Sequence, residues 1–139
     1  MRTIKFRGKA IEPSLGWIYG DLLQISNIYP DIHRYKDTIE VNGEKCKRYE
    51  LDKVSHKTVG QFTGAFDCEG REIYEGDILS ACYGHSPNIT EVTGVVEFVH
   101  CGFALRFGKD AGVWLDQLIH AEIVGNIHDN PELLKGGNQ

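Results

Sequence analysis

Proline and methionine are scarce in this chain, and long apolar runs are absent. Four prolines, one methionine and 16 glycines make a turn-rich composition, which favours many short strands over a helix bundle. No apolar run approaches the about 18 residues that a membrane helix needs, and the first residues hold no apolar signal-peptide core. We therefore expect a protein that stays in the compartment where it is made.

The four cysteines lack the close pairing that a structural zinc site uses, because none is followed by another within a few residues. Without an export signal, disulfides are also disfavoured. We expect Cys46, Cys68, Cys82 and Cys101 to be free thiols, and we predict no metal and no cofactor.

Short strand patterns run along the whole chain. Ile4 and Phe6 alternate with Lys5, Arg7 and Lys9, which predicts a strand with one apolar and one basic face. Further strands are predicted over residues 17–23, 38–41, 45–51, 58–62, 78–83, 92–99, 103–107 and 121–127. Residues 112–119 fit a strand or one to two helical turns.

Turn and loop signals separate these strands. Asn42-Gly43 is the dipeptide best suited to a two-residue hairpin turn, and Cys101-Gly102 lies near a second one. Residues 24–36 and 84–90 read as loops, and Asn130-Pro131 as a helix start. About eight or nine short strands predict an all-β protein, or a mainly β one with one or two short helical turns, built from small barrel-like sheets.

Charge divides the chain into two unlike halves. Residues 1–60 carry eleven Lys and Arg against eight Asp and Glu, a net charge of +3, whereas residues 61–139 carry four against twelve, a net charge of −8. We predict a basic N-terminal β subdomain over 1–60 and an acidic C-terminal subdomain over 61–139, packed as one unit. Such asymmetry points to partners rather than to fold.

The basic half contains cations beside tyrosines, the combination that single-stranded nucleic acid uses. The alternative is that these are ordinary solvated faces, which the modest charge favours. The acidic half could repel or mimic nucleic acid, or dock on the basic half of another copy, and edge strands also permit such a homo-oligomer. The candidate binding residues are Lys5, Arg7, Lys9, Tyr19, Lys45, Lys47 and Arg48.

No catalytic residue is predicted. His100 and Cys101 are adjacent, and neighbours in a strand point to opposite faces, which makes them poor partners for proton transfer. We expect Trp17 and Trp114 to be core residues. The carboxylates of one turn-rich segment are interpreted as solvating turn residues: Glu69, Glu72, Glu75 and Asp77.

Five blocks of sequence resemble the YopX family of phage and prophage proteins. They are Ile4-Lys5-Phe6-Arg7-Gly8-Lys9, Gly16-Trp17-Ile18-Tyr19-Gly20-Asp21-Leu22, Thr58-Val59-Gly60-Gln61-Phe62-Thr63-Gly64, Gly70-Arg71-Glu72-Ile73-Tyr74-Glu75-Gly76-Asp77-Ile78 and Val124-Gly125-Asn126-Ile127-His128-Asp129-Asn130-Pro131-Glu132-Leu133-Leu134. The resemblance implies a gene carried in a bacterial cell, hence a cytoplasmic protein, and a β-rich fold with an SH3-like barrel in its C-terminal part. It implies no mechanism.

Three functions stay open. The first is a non-catalytic accessory protein that binds a host or phage protein. The second is a weak nucleic-acid binder that uses the basic N-terminal strand faces, and the third is an enzyme with an unrecognised site. An exposed aromatic groove would favour the first, a continuous basic stripe the second, and a deep pocket with convergent polar groups the third.

Overall fold

The computed structural model describes residues 1–24 and 28–134, in which every regular element is a β-strand or a short 3₁₀ turn. The all-β prediction is confirmed, although the described residues form eleven strands rather than eight or nine, and three of them are long. The strands are β1 Phe6–Lys9, β2 Trp17–Leu23, β3 Asp31–Val41, β4 Glu44–Lys53, β5 Gly60–Phe66, β6 Glu72–Tyr74, β7 Asp77–His85, β8 Asn88–Val99, β9 Gly102–Arg106, β10 Gly112–Trp114 and β11 Ile119–Asn126. The 3₁₀ turns are Pro13–Leu15, His56–Thr58, Leu115–Gln117 and Pro131–Leu134.

The chain forms two compact units, of which the first is Met1–Gln61 and the second begins at Phe62. In the first unit the antiparallel strands lie in the order β4-β3-β2-β1, and the start of β5 pairs with β1. Here strands consecutive in sequence are also neighbours in the sheet, as expected where short connections join antiparallel strands.

The hairpin of β3 and β4 dominates the first unit. Asn42 and Gly43 have φ of 51° and 81°, so the predicted two-residue turn is confirmed. The prediction of a loop over residues 24–36 is wrong from Asp31 onward, because β3 begins there and pairs with β4 along its whole length. Part of that predicted loop, residues 25–27, lies outside the described residues.

The core of the first unit is small. Ile18, Ile32 and Val54 are its fully enclosed members. Gly8 of β1 lies directly against Val54, and a Cβ at position 8 would stand 2.8 Å from a Val54 methyl. The absence of a side chain at position 8 therefore permits β1 to pack closely against Val54 and to cover this core.

The second unit contains a five-stranded antiparallel sheet in the order β10-β9-β8-β7-β11. The later residues of β5 pair with β6 in the same unit, with Phe62 opposite Tyr74. The register of β11 against β7 shifts twice, as at β-bulges, which bend a strand. Its core consists of Ile73, Leu79, Ala81, Val96 and Leu105.

Two tight hairpins join the central strands of the second unit. The predicted hairpin over residues 92–107 is confirmed, and its turn consists of His100 and Cys101, both at positive φ. The predicted loop over 84–90 is wrong, because β7 and β8 continue as a ladder to the pair His85 and Asn88. The predicted helix start at Asn130-Pro131 is confirmed as a 3₁₀ turn. Within the described part of the chain, no helix has the length and hydropathy that crossing a bilayer requires.

Candidate functional site

The predicted basic face of β1 is wrong at its centre. Arg7 is only 6% exposed, whereas Ile4, expected on the apolar side, is 54% exposed. The Arg7 guanidinium lies 4.6 Å from the centre of the Trp17 ring, and the Lys9 ammonium lies 5.9 Å from it. A cation that packs on an indole is partly desolvated and held there. Arg7 is therefore part of the packing of β1 and β2 rather than an exposed contact.

The other residues of the N-terminal prediction lie nearby but differ in exposure. Tyr19 is opposite Arg7 in the β1–β2 ladder and is exposed, while Lys5 precedes β1 and is half-buried. Trp17 is half-buried, so its predicted core position is met only in part. A continuous stripe of exposed cations along β1 is not formed.

The hairpin separates its three predicted cations between two faces. Arg48 is opposite Asp37 and forms a bidentate ion pair with it, with 2.6 Å between Arg48 Nε and Asp37 Oδ1. Hydrogen bonds from Arg48 are the main reason that the pKa of Asp37 lies below its ordinary value. Because Lys45 and Lys47 alternate with Arg48 along β4, they point to the other side. All three candidate residues lie on the hairpin, but only Lys45 and Lys47 share a face.

The Arg48 side of the hairpin is a ladder of ion pairs. Arg34 Nε lies 2.6 Å from Asp52 Oδ2, and its Nη2 lies 2.7 Å from Glu50 Oε2. Lys36 Nζ lies 2.6 Å from the other oxygen of Glu50, and its hydrogen bond is the main cause of a lowered Glu50 pKa. The cations of this face are thus already neutralised by carboxylates of the same hairpin.

The opposite face of the hairpin is aromatic. The rings of His33 and Tyr49 stack with centroids 4.8 Å apart, and the rings of Tyr35 and Tyr49 meet at a steep angle with centroids 6.0 Å apart. Tyr35 and Tyr49 are each 51% exposed. A 2.6 Å hydrogen bond joins the hydroxyls of Tyr35 and Thr38, and Lys47 is opposite Thr38. This surface, called the hairpin face below, consists of His33, Tyr35, Lys45, Lys47, Tyr49 and Leu51.

An open groove lies on the second unit, where no site was predicted. It has a volume of about 570 Å³ and runs between the end of β7 and the chain from β10 to β11. The Tyr83 ring on one wall stacks on Phe107, with centroids 5.6 Å apart. The 3₁₀ turn Leu115–Gln117 places Asp116 at the rim. The lining residues are Tyr83, Gly84, His85, Val113, Asp116, Gln117, Leu118 and Ile119.

The groove combines an apolar wall with one negative charge. Val113 and Leu118 are half-buried, Ile119 is 36% exposed, and Asp116 is exposed beside them. Clefts of this size with a few polar groups at the rim are the usual form of a binding site. A sequence signal did exist, since Tyr83 ends a strand and Asp116 lies in the ambiguous segment 112–119, but the sequence does not show that the two segments meet.

A smaller cavity of about 240 Å³ lies elsewhere on the second unit. Cys68 and His120 both line it, together with Phe66 and Leu118. Among the described residues neither the Cys68 thiol nor the His120 ring makes a hydrogen bond or an ion pair. In the part of the chain that the structure describes, the cavity therefore holds no nucleophile that is hydrogen-bonded to a base.

Buried carboxylates of the second unit hold backbone rather than ligand. The Asp67 side chain accepts hydrogen bonds from the backbone N–H groups of Glu69, Arg71 and Ile123 at 2.9–3.2 Å. Asp77, 2% exposed, accepts the N–H of Tyr74 at 2.8 Å. The prediction that Asp77 is a solvating turn residue is therefore wrong, because its side chain is buried and binds the backbone of the turn.

Other chemistry-bearing residues lie apart. All four cysteines are free thiols, and Cys101 is exposed at the β8–β9 turn together with His100, so these two are not strand neighbours. Trp114 is 42% exposed and covers Gly102 with its ring, so its predicted core position is wrong. In residues 1–24 and 28–134 no three His, Cys, Asp or Glu side chains cluster as metal ligands would.

Comparison with known proteins gives a family and a fold. No curated protein matches the chain. The crystal structure of protein EF1440 from Enterococcus faecalis is similar, with 21% sequence identity, a TM-score of 0.58, and coverage of 97% of this chain and 100% of that one. At this identity the likeness concerns the fold alone. The family described as YopX protein matches residues 5–135, and the chain therefore belongs to the YopX family.

Proposed function

We propose that the chain is a phage- or prophage-encoded, non-catalytic accessory protein that binds a host or phage protein in the bacterial cytoplasm. Membership of the YopX family supports the phage origin. The five-stranded sheet of the second unit, bent at the register shifts of β11, supports its description as an SH3-like barrel.

The groove on the second unit is the observation that carries this proposal. Its apolar wall of Val113, Leu118 and Ile119 suits the side chains of an extended segment, and the Tyr83 ring offers a flat surface. Asp116 at the rim, in a half of net charge −8, complements a Lys or Arg of that segment. The ligand is therefore an extended, basic segment of a partner protein.

A binding role also agrees with the structural part that the buried carboxylates play in the second unit. Asp67 and Asp77, the enclosed carboxylates of the second unit, have backbone N–H groups as partners, and the Asp67 pKa lies below its ordinary value. A general acid at neutral pH would need a raised pKa instead. Both residues therefore hold the backbone of the binding unit, and Asp67 is unsuited to the role of a general acid.

Selection from a display library of random peptides tests the proposal. The chain is immobilised, and the enriched peptides are synthesised and measured by titration calorimetry. We expect them to contain Lys or Arg beside apolar residues. Asp116→Lys should weaken their binding by about tenfold, because it replaces an attractive charge pair with a repulsive one.

Asp110→Lys is the matched control, since Asp110 is also exposed in the second unit but does not line the groove. It changes the net charge by the same amount and should bind the peptides as the unaltered chain does. If both variants weakened peptide binding equally, the loss would come from the net charge of the chain and not from Asp116 in the groove. Enrichment of peptides without cations would refute the proposed ligand.

A further inference from the structure

We infer that the hairpin face of the first unit binds single-stranded nucleic acid, with bases on its rings and phosphates at its two lysines. This activity goes beyond the proposed protein-binding groove, and it lies in the other unit of the chain. It rests on the aromatic and cationic residues of β3 and β4.

The rings offer stacking surfaces that are partly open, since His33 covers one face of Tyr49. Tyr35 and Tyr49 keep half of their surface exposed, and His33 lies alongside in the stack with Tyr49. They are held on a regular ladder, in which Tyr35 is directly opposite Tyr49. Bases stack on such rings whatever their sequence, because every base has a π face.

The two lysines are the cations that the hairpin leaves unneutralised. Arg34, Lys36 and Arg48 each have a carboxylate within ion-pair distance on the opposite face. Lys45 and Lys47 are exposed, and among the described residues no carboxylate lies within 4.0 Å of either ammonium, although Glu40 is opposite Lys45 in the ladder. Their charge therefore remains available for an anion.

The arrangement fits a single strand better than a duplex. Along β4, Lys47 is about 7 Å from Tyr49 and Lys45 about 7 Å further on, and all three share one face. A duplex keeps its bases stacked on each other and would offer this flat face only its phosphates. A single strand can turn bases onto Tyr35 and Tyr49 while its backbone passes the lysines.

Fluorescence anisotropy with a labelled oligothymidylate of about 12 nucleotides tests the inference on the whole chain. We expect weak binding, with a dissociation constant of about 10⁻⁴ M at physiological salt and a lower one at low salt. With two phosphates neutralised, the logarithm of the association constant should fall against the logarithm of salt with a slope of about −1.4.

Two double variants separate the two contributions. Lys45→Gln with Lys47→Gln should remove most of the salt slope. Tyr35→Ala with Tyr49→Ala should weaken binding at least about fivefold with the slope unchanged, because bases lose their stacking partners. Tyr49→Phe keeps a ring and should bind normally. Lys57→Gln with Lys109→Gln is the charge-matched control, because Lys57 and Lys109 are both exposed and lie outside the hairpin.

An abasic oligonucleotide of the same length provides the decisive comparison. We expect it to bind at least about fivefold more weakly than oligothymidylate, since it has the phosphates but no bases. Equal binding of the two would overturn the base contacts. Absence of binding to oligothymidylate at low salt, or binding that both double variants retain, would overturn the site.

Discussion

At the scale of single residues, the partners of each charged side chain decide whether it can bind anything else. Arg7 lies on Trp17 and is buried, and Arg48 is held by Asp37. Lys47, one residue from Arg48 in the sequence, faces away from that ladder. The same residue type therefore serves packing, an ion pair or an open surface according to its place in the sheet.

Asp67 is the residue whose loss should affect stability most clearly. Its side chain accepts the N–H of Ile123 in β11, and it also binds the Arg71 guanidinium, which donates to the Ile123 carbonyl. We expect Asp67→Asn to lower the free energy of unfolding by about 2 kcal/mol at pH 7, because buried donors lose a charged acceptor. Urea unfolding followed by circular dichroism measures this.

The effect of Asp67→Asn on the free energy of unfolding should depend on pH, because the Asp67 carboxylate titrates with a lowered pKa. Burial raises this pKa, but hydrogen bonds from the backbone of Arg71 and Ile123 and from the Arg71 guanidinium outweigh burial and hold it below 3.8. The stabilisation is therefore complete above about pH 4 and is lost as pH falls through the folded pKa. The difference in unfolding free energy between the unaltered chain and the Asp67→Asn variant should narrow below about pH 4. A difference that stays constant at lower pH would contradict this role.

Cys101 should be replaceable with a gain in stability. It occupies the second position of the β8–β9 turn at φ 68°, a conformation that costs a residue with a Cβ about 1 kcal/mol. Cys101→Gly should therefore raise the free energy of unfolding by about 0.5–1 kcal/mol, measured by thermal and urea denaturation. A loss of stability of similar size would show that the turn has another geometry.

At the scale of elements, the sequence predicts the end of the hairpin but not its far half. Asn42-Gly43 sets the register from Val41 and Glu44 as far as Asp37 and Arg48. Beyond them a bulge at Lys36 inserts one residue and brings Tyr35 opposite Tyr49. Regular pairing would have placed these two rings on opposite faces of the hairpin. The hairpin face therefore depends on a bulge that the local sequence pattern does not predict.

The same limit explains the errors on β1 and in the second unit. Alternation predicts a strand at β1, but which side is covered depends on Trp17 and on the close approach of Gly8 to Val54. The groove unites Tyr83 with Asp116, which are far apart in sequence, through the pairing of β7 with β11. Pairing between distant strands is tertiary information, and strand periodicity does not contain it.

The contact of β1 with Val54 gives a test at this scale. Gly8→Ala should cost about 1–3 kcal/mol, because its Cβ would stand 2.8 Å from a Val54 methyl. Val54→Ala alone should also destabilise the unit by leaving a cavity. The double variant should be more stable than the sum of the two effects implies, as measured in a double-mutant cycle by urea unfolding. Simple additivity would show that the two residues do not touch.

At the scale of the whole molecule, charge separates the chain into unlike halves. The net charges of +3 over residues 1–60 and −8 over 61–139 predict head-to-tail association of copies, which salt should weaken. Light scattering should show an apparent mass that rises with concentration at low ionic strength and falls to that of one chain in high salt. An apparent mass equal to that of one chain at every concentration and salt would refute self-association.

The central claim is that the two units bind two different ligands. Backbone amide chemical shifts of the whole chain, recorded by NMR in separate titrations with a basic peptide chosen from the display library and with oligothymidylate, test it most directly. We predict that the peptide shifts Tyr83, Val113 and Leu118, and that the oligonucleotide shifts Tyr35, Lys47 and Tyr49. Shifts at the same residues with both ligands, or shifts that avoid these residues, would contradict the account.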